Sequence, residues 1–168
     1  YVQPIWAALK RLGLEDARLI EPGCGSGNFI GAAPDAVSMV GVELDSMTAA
    51  IAAKLYPSAE ILHESFAETS MGSTYFDGAI GNVPFGDIKL YDPAYNPGHH
   101  SIHNHFIVKS VAMTRPGGMV AILSSSWTLD AKNPSARRDI YSSADLVGAV
   151  RLPTGAHREA ADTDALTD

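Results

Sequence analysis

A single cysteine, Cys24, stands among 168 residues, so no internal disulfide framework braces the chain, and that usage fits a reducing compartment such as the cytoplasm. No run approaches the roughly 20 apolar residues that cross a bilayer, and no basic-then-apolar leader opens the sequence; a membrane partner is not expected. Lys and Arg number 12 against 19 Asp and Glu, a formal charge of −7. That balance excludes a protein gripping nucleic acid by bulk electrostatics, since phosphate contacts need cations. It leaves room for a catalytic domain whose hold on nucleic acid is supplied elsewhere. Internal repeats and low-complexity segments are lacking too. The start at Tyr1 rather than Met is expected of a piece of a larger protein.

What is present is an ordinary globular composition, 46% hydrophobic and 18% charged, with enough length for one domain over 1–168. "PIWAALKRLGL" carries apolar residues at helical spacing, with Gly13 as a stop. "ARLIEPG" reads as a buried strand, "GCGSGNFIGAA" as a Gly-rich loop opening a short helix that Pro34 ends, and "AVSMVGVELD" as a second strand. "SMTAAIAAKLY" is helical, capped by Asp45 or Ser46. "AEILHES" and "STYFDGAIGN" are strands three and four. An irregular run, about 83–101, follows, then the helix "IHNHFIVKSVAMT", the turn "RPGG" and a fifth strand "MVAILSS". Asn133 and Pro134 look like the cap and first residue of the helix "ARRDIYSSA", and "DLVGAVRLP" reads as a sixth strand. The tail from 154 carries no clear signal. Strands alternating with helices predict an α/β fold, a doubly wound and mostly parallel Rossmann-like sheet. Ligands in such sheets bind outside the carboxyl ends of the strands. The Gly loop, the acid ending strand two, the turn after strand three and "NVPFG" after strand four then share one rim.

"EPGCGSGNF" places Gly23, Gly25 and Gly27 between strand and helix, where backbone can approach a ligand closely. Glu43 ends strand two about 20 residues on, suited to accept hydrogen bonds from both hydroxyls of a ribose. Together they indicate an adenosine-containing cofactor; a Gly loop alone is equally a tight turn. A dinucleotide loop needs G-x-G-x-x-G, and Ile30 stands at its last position. Glu21 beside the loop repels a pyrophosphate and attracts a cationic amine. S-adenosylmethionine has no phosphate, a free α-amino group and a sulfonium, and is favoured over a nicotinamide dinucleotide.

On the same rim, the Asn82 side-chain carbonyl and the Val83 backbone carbonyl can accept from one NH2 group. Pro84 stiffens the turn, and the Phe85 ring offers a face for a flat group. A planar exocyclic amine is a poor nucleophile because its lone pair is conjugated. Two acceptors on its hydrogens return electron density to nitrogen, and positioning does the rest.

In order and spacing, "EPGCGSGNF", "GVELD" and "GNVPFG" resemble the signature of adenine-specific, S-adenosylmethionine-dependent DNA methyltransferases. The likeness extends over about 1–155 through "SIHNHFIVKSVAMTRPGGMVAIL", "DAKNPSARRDI" and "GAVRLP", and is closest to methylase domains of large plasmid and phage proteins beside helicase-like modules. The resemblance implies methyl transfer to the N6 amine of a flipped adenine in DNA, in a restriction-modification setting. It implies that Glu21, Gly23, Gly25 and Gly27 hold the methionine part of the cofactor, with Cys24 and Phe29 in the same loop. Glu43 would hold the ribose, Leu44, Ser65 and Phe66 would border the adenine ring, and Asn82, Val83, Pro84 and Phe85 would hold the target. Val83 departs from the family, which has Pro there; the turn loses rigidity and gains an N–H. No target-recognition domain is evident, so DNA is expected to be held through additional domains or subunits.

Other features read more plainly. His99, His100, His103 and His105 form a polar loop entering a helix, although the i, i+4 pair His99 and His103 has metal-clip spacing; no metal is expected. Cys24 is a small filler rather than a nucleophile, and Arg137 and Arg138 lie on a solvated helix face. Tyr91 and Tyr95 either line the target pocket or anchor their loop. Two rival functions remain open: the same chemistry on an RNA base or a protein glutamine amide, and a cofactor-binding or structural module without turnover.

Overall fold

The structure, a computed structural model, describes residues 1–153; the rest of the expected domain, 154–168, lies outside the described residues. Among the described residues, five strands form one sheet in the order β3-β2-β1-β4-β5, every neighbouring pair parallel. They are β1 (Ala17–Pro22), β2 (Val37–Glu43), β3 (Glu60–His63), β4 (Phe76–Asn82) and β5 (Thr114–Leu123). Helix α1 (Val2–Arg11) precedes β1, α2 (Ser46–Leu55) joins β2 to β3, and α3 (Ile102–Met113) joins β4 to β5. The short helices α4 (Trp127–Asp130) and α5 (Ser135–Tyr141) follow β5. The α/β doubly wound expectation holds.

The central strands are apolar on both faces, as strands covered by helices must be. One face buries Leu19, Met39 and Ile80 against Trp6 and Leu9 of α1 and against Phe29 and Ile30. The other buries Ile20, Val40, Val42 and Ala79 under Phe106 and Met113 of α3. Strand order reverses between β1 and β4, so a crevice opens beyond their carboxyl ends. The residues of interest sit there: 23–27 after β1, Asn82 at the tip of β4.

Several local expectations are corrected. The Gly loop opens no α-helix, only a 3-10 turn over Ile30–Ala32, because the Glu21 carboxyl takes the Ile30 N–H at 3.2 Å and Pro34 follows. "RPGG" is no separate turn: β5 runs through it, with a register shift against β4 between Phe76 and Gly78. Residues 145–153 pair with no strand; Leu146, Val147 and Val150 are exposed, since the described chain brings no neighbour alongside them. Asp45 caps α2, its carboxylate accepting the Thr48 N–H at 2.8 Å. Pro134, not Asn133, is the cap residue of α5, while Asn133 accepts the Ser135 N–H at 3.0 Å.

β4 and β5 meet so closely at Gly78 that a methyl group there would strike the Met119 carbonyl. Gly78→Ala is expected to destabilise the chain by about 3 kcal/mol, as overpacking against rigid backbone does. Urea unfolding measures it; an unchanged midpoint would show that the β4–β5 contact is looser than described.

Candidate functional site at the sheet switch point

The loop after β1 turns through Gly23, Gly25 and Gly27 at φ of 69°, 55° and 86°, a region that disfavours side chains. Space restricts one of these positions, Gly27. A Cβ on Gly23 would lie 3.4 Å from Pro84 Cδ and 3.5 Å from the Phe106 ring, so this glycine is where the loop meets the turn after β4. A Cβ on Gly27 would lie 2.6 Å from the Tyr56 ring. At Gly25 the same construction meets nothing within 4 Å, which leaves open space on the rim side of the loop. Cys24 is buried, its N–H donating to the Val42 carbonyl at 2.9 Å. Burial, then the charges of Glu21 and Glu43, push its thiol up to about 12, which makes it a filler and not a nucleophile. Phe29 is 2% exposed and lies in the core, where its carbonyl accepts from the Trp6 indole at 3.1 Å. It braces the loop from beneath rather than facing the rim.

Two carboxyl groups hold this loop in different ways. Glu43 Oε2 accepts the Gly25 N–H and Oε1 the Asp45 N–H, each at 2.8 Å. Each oxygen keeps a further lone pair for another donor. Glu21 is 2% exposed, and a Cβ on Gly81 of β4 would lie 3.3 Å from its Cγ, so it wedges between β1 and β4. Burial raises its pKa from 4.5 to about 8, against the lowering effect of the Ile30 and Phe29 amides.

The turn after β4 is anchored from both sides. The Val83 side chain is 2% exposed. Its N–H, which a proline would lack, donates to the Leu123 carbonyl at 3.2 Å and carries the β4–β5 pairing one residue further. Core packing and that bond replace the stiffness of a proline ring. Asn82 Oδ1 is shielded from solvent and has no hydrogen-bond partner among the described residues. Phe85 is partly buried against the α3-side core. On the cofactor side, Leu44 is exposed, with its carbonyl 3.2 Å from His63 Nε2. Ser65 starts a turn in which its carbonyl takes the Glu68 and Thr69 N–H groups. Phe66 is buried against Phe106, ring centroids 4.8 Å apart.

Sequence reasoning missed what supports all this. The 83–101 run, free of helix and strand, is organised by a buried polar cluster under α3. Asp92 Oδ2 accepts from Lys109 Nζ at 3.0 Å and lies 2.9 Å from His105 Nε2, while Asp92 Oδ1 takes the Tyr95 N–H at 3.1 Å. Asn96 exchanges hydrogen bonds with the His100 backbone in both directions and donates to the Leu90 carbonyl. His100 Nε2 reaches Asp139 of α5 at 2.6 Å. Burial pushes the Asp92 carboxyl up, but the bonds from Lys109 and His105 outweigh it and hold it below the ordinary range. Burial lowers Lys109, opposed by Asp92. His100 and His105 are thus structural, and no group of three or more metal-ligating side chains stands together among the described residues. Tyr95 anchors, its ring 4.9 Å from Lys109 Nζ, while Tyr91 is 82% exposed. The signal available in the sequence was a histidine and a lysine four residues apart, His105 and Lys109, with only the apolar Phe106, Ile107 and Val108 between them. A cavity of about 330 Å³ near Tyr56 and Val37 lies toward the amino end of β2, away from this rim.

Comparison with known proteins places the architecture. Over 98% of its length the chain superimposes on a Listeria monocytogenes protein assigned as a class I S-adenosylmethionine-dependent methyltransferase, at TM-score 0.77 and 17% identity, covering 56% of that protein. The fold is that of the S-adenosylmethionine-dependent methyltransferases. A modification subunit assigned to a type I restriction enzyme of Vibrio vulnificus aligns over 99% of the chain and 42% of its own, at TM-score 0.75 and 17% identity. In sequence, the chain is 26% identical over 157 residues to "Defense against restriction protein B" of Escherichia phage P1, 90% of this chain but 7% of that protein. The chain therefore spans a small part of the curated relative it matches. No protein-family model matches. No helix among the described residues is long and apolar enough to cross a membrane.

The buried Glu21 makes stability depend on pH in an unusual sense. With its folded pKa near 8 and its unfolded value at 4.5, the folded chain binds more protons there between those limits. Stability from this group is full below about pH 4.5 and is lost as pH rises to about 8, a change on the order of 5 kcal/mol. Glu21→Gln should lack that slope in urea unfolding of the ligand-free protein from pH 5 to 9. Parallel slopes for the two proteins would contradict the buried carboxyl.

Proposed function

We propose that the chain transfers a methyl group from S-adenosylmethionine to the exocyclic N6 amine of adenine in DNA. The observation that carries this reading is the Asn82 carbonyl oxygen, shielded and unpartnered at the switch point of the sheet. A buried acceptor without a donor is costly and is expected where a ligand supplies the donor. The cofactor fits the residues facing it. Gly25 leaves open space, Glu43 has lone pairs to spare for ribose hydroxyls, and Glu21 gives a carboxyl that ionises beside a cationic amine. Glu21, Gly23, Cys24, Gly25 and Gly27 would line the methionine part, Glu43 the ribose, and Leu44, Ser65 and the edge of Phe66 the adenine. When bound, the cofactor supplies an electrophilic methyl group on a sulfonium.

The chain's own part is to hold and sensitise the acceptor. Asn82 Oδ1 and the Val83 carbonyl accept the two hydrogens of the target amine, and Pro84 and Phe85 hold the base plane. This arrangement localises the nitrogen lone pair toward the donor side, with the groups already in place before the step. Adenine reaches the pocket only when flipped out of the duplex. Tyr91, in the loop after β4, and Trp127, which opens α4 just beyond β5, are both largely exposed and offer flat faces for neighbouring bases. With a net charge of −7 the duplex is held mainly by further domains or subunits, for which the phage relative, matched over 7% of its length, has room. The same likenesses support a restriction-modification or anti-restriction role.

Incubating the full-length protein with methyl-labelled cofactor and varied duplexes tests the reading: label is expected in adenine. Label released by ribonuclease or protease instead would move the chemistry to RNA or to a glutamine amide. Bound cofactor with no labelled product would leave a binding module. Asn82→Ala should cut transfer by about 1,000-fold, in line with loss of one preorganised polar group, with cofactor affinity within about threefold of wild type. Transfer that survives the substitution would overturn the acceptor assignment.

A further inference from the structure

The ammonium of Lys109 occupies a place that neither the expected chemistry nor the core requires. Its residue is 1% exposed, and its Nζ has two acceptors on two different loops. One is the Ala67 carbonyl at 3.1 Å, in the turn after β3; the other is Asp92 Oδ2 at 3.0 Å, in the loop after β4. The rings of Phe66 and Tyr95, one from each loop, lie 5.2 and 4.9 Å from the same nitrogen.

Each loop leads to one half of the crevice. The Glu64 N–H, just before the Ala67 turn, donates to the Glu43 carbonyl at 3.1 Å, and the Glu43 carboxylate holds Gly25 of the Gly loop. On the other side Asp92 fixes Tyr95 and Asn96, and so shapes the loop that continues from Asn82–Phe85. A buried ammonium cannot find water when one acceptor moves away, so losing either leaves a charge short of partners. The two loops are therefore not free to shift independently.

We propose that Lys109 is a positioning residue that couples the cofactor side of the crevice to the target side, so that filling the first orders the loop that completes the second. This rests on the methyltransferase reading, and two-site coupling of this kind is reciprocal in binding free energy. A target held in the acceptor turn tightens the cofactor by the same factor.

Amide hydrogen exchange on the full-length protein, with and without S-adenosylmethionine, reads the coupling directly. In the wild type the cofactor is expected to slow exchange at Tyr95, Asn96 and His100 by about tenfold, within the usual range of such couplings. Lys109→Met should bind the cofactor with that slowing absent, while Lys109→Arg restores part of it. Unchanged protection at Ile20 and Ile80 serves as the folding control. Where Lys109→Met alone does not fold, the charge-free pair Lys109→Met with Asp92→Asn replaces it, since it spares the core an unpaired ion and keeps an Oδ1 acceptor for the Tyr95 N–H; the slowing should be absent there too. Equal slowing in the charge-free variant, or none in a wild type that binds cofactor, overturns the coupling. A wild type that binds no S-adenosylmethionine overturns the methyltransferase reading itself, and the coupling with it.

Discussion

The carboxyl of Glu21 is enclosed where β1 ends, against Gly81 of β4 and beneath the amide of Ile30. Burial of that one group shapes what surrounds it. Its bond to Ile30 draws the second half of the Gly loop back over the strand and keeps the following residues to a 3-10 turn. Gly81 is bare because the Glu21 side chain takes up the room beside it. A carboxyl kept neutral by desolvation holds this geometry without a counter-ion.

From that constraint the crevice is assembled by short reaches across the sheet. The loop comes close to the turn after β4 at Gly23 and Pro84, with the Phe106 ring beside them from the α3 side. Helix α3 does more than connect two strands. Its Phe106 packs under the Gly loop, and its His105 and Lys109 pin the long loop after β4. Val83 shows how the arrangement tolerates a change of residue type. Its backbone N–H and buried side chain fix the turn through β5, a different means to the rigidity of a proline.

The sheet and its helices were legible because local patterns decide them: short apolar stretches at the centres of β1, β2 and β4, an Asp cap for α2, helical spacing in α1. That the Gly loop, Glu43 and the Asn82 turn share one rim was legible because each stands at the carboxyl end of a strand of a parallel sheet. The remainder was hidden for physical reasons. Asp92 and Lys109 stand 17 positions apart, and nothing local says that a polar residue in a long loop will be buried under a distant helix. Residues 145–153 have the composition of a strand, yet a strand exists only where a neighbour accepts its hydrogen bonds. Phe29 belongs by position to the loop and by packing to the core, a distinction the linear order does not carry.

If Glu21 is a neutral acid in the empty protein and meets the cationic amine of the cofactor, binding must expel its proton. Calorimetry of S-adenosylmethionine binding near pH 7 in buffers of different ionisation heat counts that proton. Release approaching one proton by the wild type, and none by Glu21→Gln, is the required result. Tight binding with no proton released by the wild type would contradict the central role given to this carboxyl.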